Sequence, residues 1–232
     1  MDKKSILILG SKPDPIIPKK DYDTVVFVNG SIHLKNDKIT SRQVVHIMSS
    51  SILFGESLLI EKTVDCFRNK SVDEAVVITY FPDKKSIEDI SKRLLELNYT
   101  YNRITLYSPE EFEQKFLFFS HVQYWKTFLI NIFNKNFSCK EKINTARSYL
   151  RGRVHLSTGF FSIFYALKEK DIAEVVVSGI GMVTGGYSYL SGYRGHQYKD
   201  FIALQLLKNT GYVSRLNFTD SELNKIGLQY ND

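Results

Sequence analysis

Cysteine is scarce in this chain: two in 232 residues, Cys66 and Cys139, far apart and without a C-x-x-C partner. That argues against a disulfide framework and predicts two buried free thiols in a reducing compartment. The five histidines (His33, His46, His121, His155, His196) are scattered, so no metal-ligand spacing forms and no metal is expected. Long apolar runs are missing as well. The segment MDKKSILILGSKPD has a basic start but only four apolar residues in a row, too short for a signal peptide or a membrane span. A cytoplasmic location is the expectation. There is no G-x-G-x-x-G, no D-x-D at the carboxyl end of a candidate strand, no internal repeat and no low-complexity tract. G-x-S-x-G at a strand-to-helix turn is also missing, which disfavours a serine hydrolase.

What is present is an ordinary globular composition, 43% hydrophobic and 24% charged, long enough for one sizeable domain. Lys and Arg number 31 against 25 Asp and Glu, a formal net charge of +6. This balance favours anionic partners such as nucleotides, acidic sugars, nucleic acid or an anionic membrane surface, without choosing among them.

Short β-branched runs alternate with helix-like segments. Candidate strands are Ser5–Leu9, Thr24–Val28, Gln43–Met48, Ala75–Tyr80, Arg103–Tyr107, Glu174–Ser178 and Tyr212–Phe218. Several are almost wholly apolar, as strands covered on both faces of a parallel sheet must be. Helix starts are signalled by Ser86 with Asp89 three residues on, by Ser108-Pro109-Glu110-Glu111, and by Thr219-Asp220-Ser221-Glu222. The expectation is a single α/β domain over 1–232, Rossmann-like and doubly wound, with a mostly parallel sheet of about seven strands. A helical, aromatic-rich insertion is expected over about 109–152. There Phe112, Phe116, Phe119, Tyr124, Trp125, Phe128 and Phe133 recur at helical spacing. This stripe reads as a core-packing face, with a subunit interface or a membrane-surface patch as alternatives.

Ligands of open α/β sheets sit outside the carboxyl ends of the strands. Gly10 and Ser11 follow the first strand, Asn29 the second, and Ser49 and Ser50 the third. Together they read as one site; singly, Asn29 reads as a turn residue and one serine as a helix cap. Ser157, Thr158 and Gly159 open the apolar helix FFSIFYALKEKD, with Ser157 or Thr158 as its N-cap, and such a start suits phosphate or carboxylate. The strand EVVVSG follows, and then SGIGMVTGGYSYLSGYRGHQ, which carries six of the thirteen glycines. Its tyrosines read either as ligand contacts or as anchors of a packed hairpin. Arg194 faces a substrate carboxylate or solvent. Beyond His196, KDFIALQLLKN reads as a further amphipathic helix.

The succession STGFFSIFYAL, EVVVSGIGMVTGGYSYL and GHQYKDFIALQLL resembles the C-terminal half of the small bacterial sialyltransferases that build sialylated lipo-oligosaccharide. GSKP, Asn29 and Ser49–Ser51 are similar in position to that family's nucleotide-binding segments. The resemblance implies a transferase using a CMP-sugar as co-substrate, with no metal, acting on an oligosaccharide or glycolipid acceptor. It implies cytidine monophosphate contacts from Ser11, Asn29 and Ser49 or Ser50. Thr158 and Gly179 match the family's TSG and SGID positions, Ser188 and Tyr189 its lid pair over about 181–196, and His196 its general base. Ser11, Gly181, Val183 and His155 stand where the family has Asn, Asp, a phosphate-binding Tyr and Arg, which leaves the donor sugar open between sialic acid and another ulosonic acid. A histidine with an ordinary pKa near 6.5 accepts a hydroxyl proton near neutral pH. Peripheral contact with the anionic inner membrane and homo-oligomerisation are further expectations. The rivals are a transferase for 3-deoxy-manno-octulosonic acid of the same fold, and a non-catalytic basic module binding nucleotide or nucleic acid. Against the module, the basic residues are dispersed and no recognition motif occurs, so nucleic acid is not expected as a partner.

Overall fold

The computed structural model describes residues 4–36, 39–79, 85–108, 156–168, 171–181 and 211–221, together with single positions in 128–146 and 200–223. Seven strands form one all-parallel sheet: β1 (Lys4–Leu9), β2 (Tyr22–Val28), β3 (Ser41–Ser49), β4 (Ser71–Ile78), β5 (Thr100–Tyr107), β6 (Ile172–Ser178) and β7 (Leu216–Phe218). Their spatial order is β5-β4-β3-β2-β1-β6-β7. The fold is α/β with a Rossmann-like strand order, as the buried apolar runs predict. The helices are α1 (Ser50–Phe54), α2 (Leu58–Asp65), α3 (Ile87–Glu96) and α4 (Thr158–Leu167), and 3-10 turns cover Asn29–Leu34 and Gly211–Arg215.

The order has a physical consequence. From β1 to β5 each new strand is added on the same side, whereas β6 returns to the free side of β1. Because parallel crossovers are right-handed, the two halves of the chain cover opposite faces of the sheet. Residues of alternate parity then serve two cores. Ile6, Ile8, Val26, Ile47 and Val175 face the layer containing Phe160, Ile163 and Ala166 of α4. Leu7, Leu9, Val25, Phe27 and Met48 face the layer containing Leu53, Val64, Ile90 and Leu94 of α1 to α3. Each aliphatic side chain taken fully out of water contributes about 1.5–3 kcal/mol.

Local signals behave as their chemistry dictates in α3. The Ser86 hydroxyl accepts from the Asp89 amide at 3.1 Å while the Asp89 carboxylate accepts from the Ser86 amide at 3.3 Å, a reciprocal capping box. The seventh strand is shorter than the apolar pattern suggests: the chain turns through a 3-10 segment at Gly211–Arg215 and pairs only from Leu216, against Val175–Val177 of β6. β4 begins at Ser71, earlier than its apolar run, because strand pairing carries the polar SVDE segment along β5. Both cysteines are free, but neither is buried: Cys66 is half-buried and Cys139 exposed. Within the aromatic-rich insertion, Phe133 is 75% exposed, so that member of the stripe does not face a core. The other positions named for that stripe, Phe128 apart, lie outside the described residues, as do Ser188, Tyr189, His196 and most of the expected lid. No helix among the described residues is long and apolar enough to cross a membrane.

Candidate functional site

The strand order reverses direction between β1 and β6, the switch point outside which open parallel sheets take ligands. The backbones of the two exits meet directly. The Gly10 amide donates to the Ser178 carbonyl at 2.8 Å, and the Lys12 amide donates to the Gly179 carbonyl at 2.8 Å. Gly179 has φ +69°, which side-chain-bearing residues rarely adopt. A Cβ on Gly10 would lie 2.3 Å from the Gly179 carbonyl oxygen, so only a glycine lets β1 leave the sheet this close to β6. Ser178 is tied in as well, its hydroxyl donating to the Ile16 carbonyl at 2.5 Å.

The start of α4 reaches the same point. Ile180 packs where Cβ atoms on both Gly10 and Gly159 would be, at 2.6 and 3.1 Å, and so joins the helix to the two strand exits. Ser157, not Thr158, is the N-cap; its hydroxyl accepts from the Phe160 amide at 3.1 Å. Sequence reasoning missed what lies beyond it. Asp200, only 3% exposed, accepts from the Ser157 amide at 3.0 Å and from the Ser157 hydroxyl. The positive end of the α4 dipole therefore already faces an internal carboxylate. The Ser157 hydroxyl, expected to serve a phosphate, is engaged twice within the chain. Thr158 is buried beside it.

On the other side of β1, Asn29 takes up a left-handed backbone, φ +48°, directly after β2. Its side-chain oxygen accepts from the Ser49 amide at 3.2 Å, linking the exits of β2 and β3. Its carbonyl accepts from His46 Nε2 at 2.8 Å, and His46 Nδ1 accepts from the Tyr99 hydroxyl at 2.8 Å. With a carbonyl on Nε2, that nitrogen must carry the proton, which leaves Nδ1 as acceptor. Burial holds His46 neutral and drives its pKa down to about 4, against the Asn29 hydrogen bond, which works the other way. Burial likewise pushes the Tyr99 hydroxyl well above its usual value. Two residues on, the Ser31 hydroxyl donates to the Leu9 carbonyl at 2.5 Å and accepts from the Val28 amide at 2.7 Å, binding the ends of β1 and β2.

Of the residues the sequence singles out, the fold brings Gly10, Ser11, Asn29, Ser49, Ser50, Gly159 and Gly179 to the carboxyl edge of neighbouring strands β3-β2-β1-β6. Their roles differ. Ser49 caps α1, accepting from the Ser51 amide at 3.3 Å, and its hydroxyl is paired with that of Ser51 at 2.7 Å. Ser11, Ser49 and Ser50 are all less than 5% exposed. The rim accessible at this edge is therefore made more of backbone and of the half-buried Asn29 than of serine hydroxyls. His46, Asp200 and Lys12 receive no role from the sequence because their partners are remote: Asn29 and Tyr99, Ser157, and Asp220. Among the described residues, no group of three or more His, Cys, Asp or Glu is placed to hold a metal ion.

These features define a doubly wound, all-parallel α/β domain with a glycine-lined switch point. No protein-family model, curated protein or solved structure matches the chain.

Proposed function

We propose that this chain is a CMP-sugar-dependent glycosyltransferase that moves sialic acid, or a related ulosonic acid, to a hydroxyl of a bacterial surface glycan. The observation that carries the reading is the contact of Gly10 with Gly179 at the switch point, flanked by Asn29. Backbone brought this close to the crevice suits the approach of a nucleotide phosphate. The likeness of the surrounding segments to small bacterial sialyltransferases supports the cytidine donor in particular.

In this reading the bond between the anomeric carbon and the CMP phosphate oxygen breaks, and the acceptor oxygen bonds to that carbon. His196 takes the acceptor hydroxyl's proton as general base. The charge that develops on the departing phosphate is met by Ser188, Tyr189 and backbone dipoles, without a metal. The basic chain works at the cytoplasmic face of the inner membrane, where its acceptor is anchored.

Incubating the protein with CMP-sialic acid and an oligosaccharide acceptor is expected to release CMP faster than donor alone. Faster turnover with CMP-octulosonate would reassign the donor sugar. No release with either donor over a panel of acceptors, combined with nucleic-acid binding tighter than CMP binding, would replace the transferase by a basic binding module. His196→Ala is expected to abolish turnover and keep CMP binding; an unchanged rate removes the base assignment.

A further inference from the structure

Lys12 leaves β1 next to the switch point, and its ammonium pairs with the Asp220 carboxylate at 2.5 Å, 208 residues away in sequence. β1 and β7 flank β6, and neighbouring strands are about 4.8 Å apart, so β1 and β7 are separated by about 10 Å. The Lys12 amide already rests on the Gly179 carbonyl, and Asp220 follows Thr219, whose amide donates to the Val177 carbonyl at 3.0 Å. The pair thus joins the exits of β1 and β7 across the exit of β6, over the crevice where open parallel sheets take ligands. Its side chains retain 25% and 14% of their accessible surface, so water and solutes reach both.

Charge is sparse at the described strand exits. Of the residues that leave β1, β2, β3, β6 and β7 (10–12, 29–31, 49–51, 179–181 and 219–221), Lys12 alone is a cation and Asp220 alone an anion. Among these described exit residues an anion meets one positive group, Lys12, and that group is paired with the Asp220 carboxylate. A partly accessible ion pair contributes little to folding, whereas a charged hydrogen bond to a phosphate or carboxylate contributes much to binding.

We propose that Lys12 and Asp220 form an exchangeable strap over the switch point. The anionic group of a bound ligand, phosphate or carboxylate, takes the Lys12 ammonium from Asp220, and the pair re-forms when the ligand leaves. This rests on the nucleotide-sugar reading only for where the ligand sits.

The test is titration calorimetry of the wild type, Lys12→Met, Lys12→Arg and Asp220→Asn with four probes: CMP, cytidine, N-acetylneuraminic acid and inorganic pyrophosphate. The strap predicts opposite signs. Lys12→Met weakens the anionic probe about tenfold, and Asp220→Asn tightens it about threefold, while cytidine is unaffected. Lys12→Arg keeps binding near wild type and serves if Lys12→Met does not fold. A response confined to CMP assigns Lys12 to the phosphate; one confined to N-acetylneuraminic acid assigns it to the sugar carboxylate. The same opposite signs with pyrophosphate alone keep the strap and discard the nucleotide-sugar reading. CMP binding that is unchanged in every variant, or weakened by both Lys12→Met and Asp220→Asn, overturns the strap and leaves that reading standing. A wild type that binds none of the anions overturns both.

Discussion

His46 carries a consequence that reaches beyond its own ring. It is fully buried among Phe67 and Tyr99, with ring centroids 4.8 and 5.7 Å away, and its protonated form is disfavoured there. An unfolded histidine titrates near 6.5, and the folded one near 4, so between these values the unfolded chain binds the extra proton. Stability conferred by the neutral ring is present above pH 6.5 and is lost as the pH falls toward 4, by about 1.4 kcal/mol per unit at most. Denaturant midpoints read between pH 6.5 and 5, above most carboxylate titration, are expected to drop in the wild type and to stay flatter in His46→Gln. At the switch point, Gly10→Ala is expected to cost about 2 kcal/mol or more, since the new methyl would meet the Gly179 backbone, which cannot step aside, as well as the Ile180 side chain. A chemical denaturation midpoint within error of the wild type would show that the β1 and β6 exits part without penalty.

Among the elements, α3 and α4 begin in contrasting ways. The α3 cap is local: Ser86 and Asp89 lie three residues apart, and Ser86→Ala is expected to cost about 1 kcal/mol. The α4 cap is tertiary, because Ser157 serves Phe160 within the helix and Asp200 from a separate segment. Ser157→Ala and Asp200→Asn are therefore expected to be non-additive, with a coupling of about 1 kcal/mol in a double-mutant cycle of unfolding free energies. Additivity within about 0.3 kcal/mol would mean that Asp200 and Ser157 do not act as a unit. The two cases also mark how far local reading goes. Ser86 with Asp89 is legible by spacing. Asp200 offers no signal in its own neighbourhood, because its partner is chosen by the way α4, Leu204 and Leu207 pack on one sheet face.

At the scale of the molecule, two cores share one sheet, and every central strand contributes to both. Ile47 and Met48 are adjacent in β3, both with no accessible surface, and they face opposite layers. Truncating either to alanine is expected to cost about 2–5 kcal/mol, and unfolding followed by tryptophan fluorescence and by far-ultraviolet circular dichroism should move together in each variant. Probes that separate in one variant would show that the chain does not unfold as one unit. The net charge of +6 belongs to this scale too. It acts on anions approaching the whole surface and is screened by salt, whereas the Lys12–Asp220 pair acts at one point.

The amino-acid order by itself determined the α/β class and most of the strands, because a strand buried on both faces must be apolar throughout, and ILIL, VVFV and VVV satisfy that condition alone. It also placed Gly10, Asn29, Ser49 and Gly179 at strand exits, since an exit is where an apolar run stops. Only the tertiary structure decided which exits are neighbours. The strand order sets β1 beside β6, so that Gly10 meets Gly179, His46 fixes the Asn29 backbone, and Lys12 reaches Asp220. Those partners come from segments 17 to 208 residues apart. Such pairings are set by crossover handedness and by burial of two cores at once, neither of which is written in any short stretch of the chain.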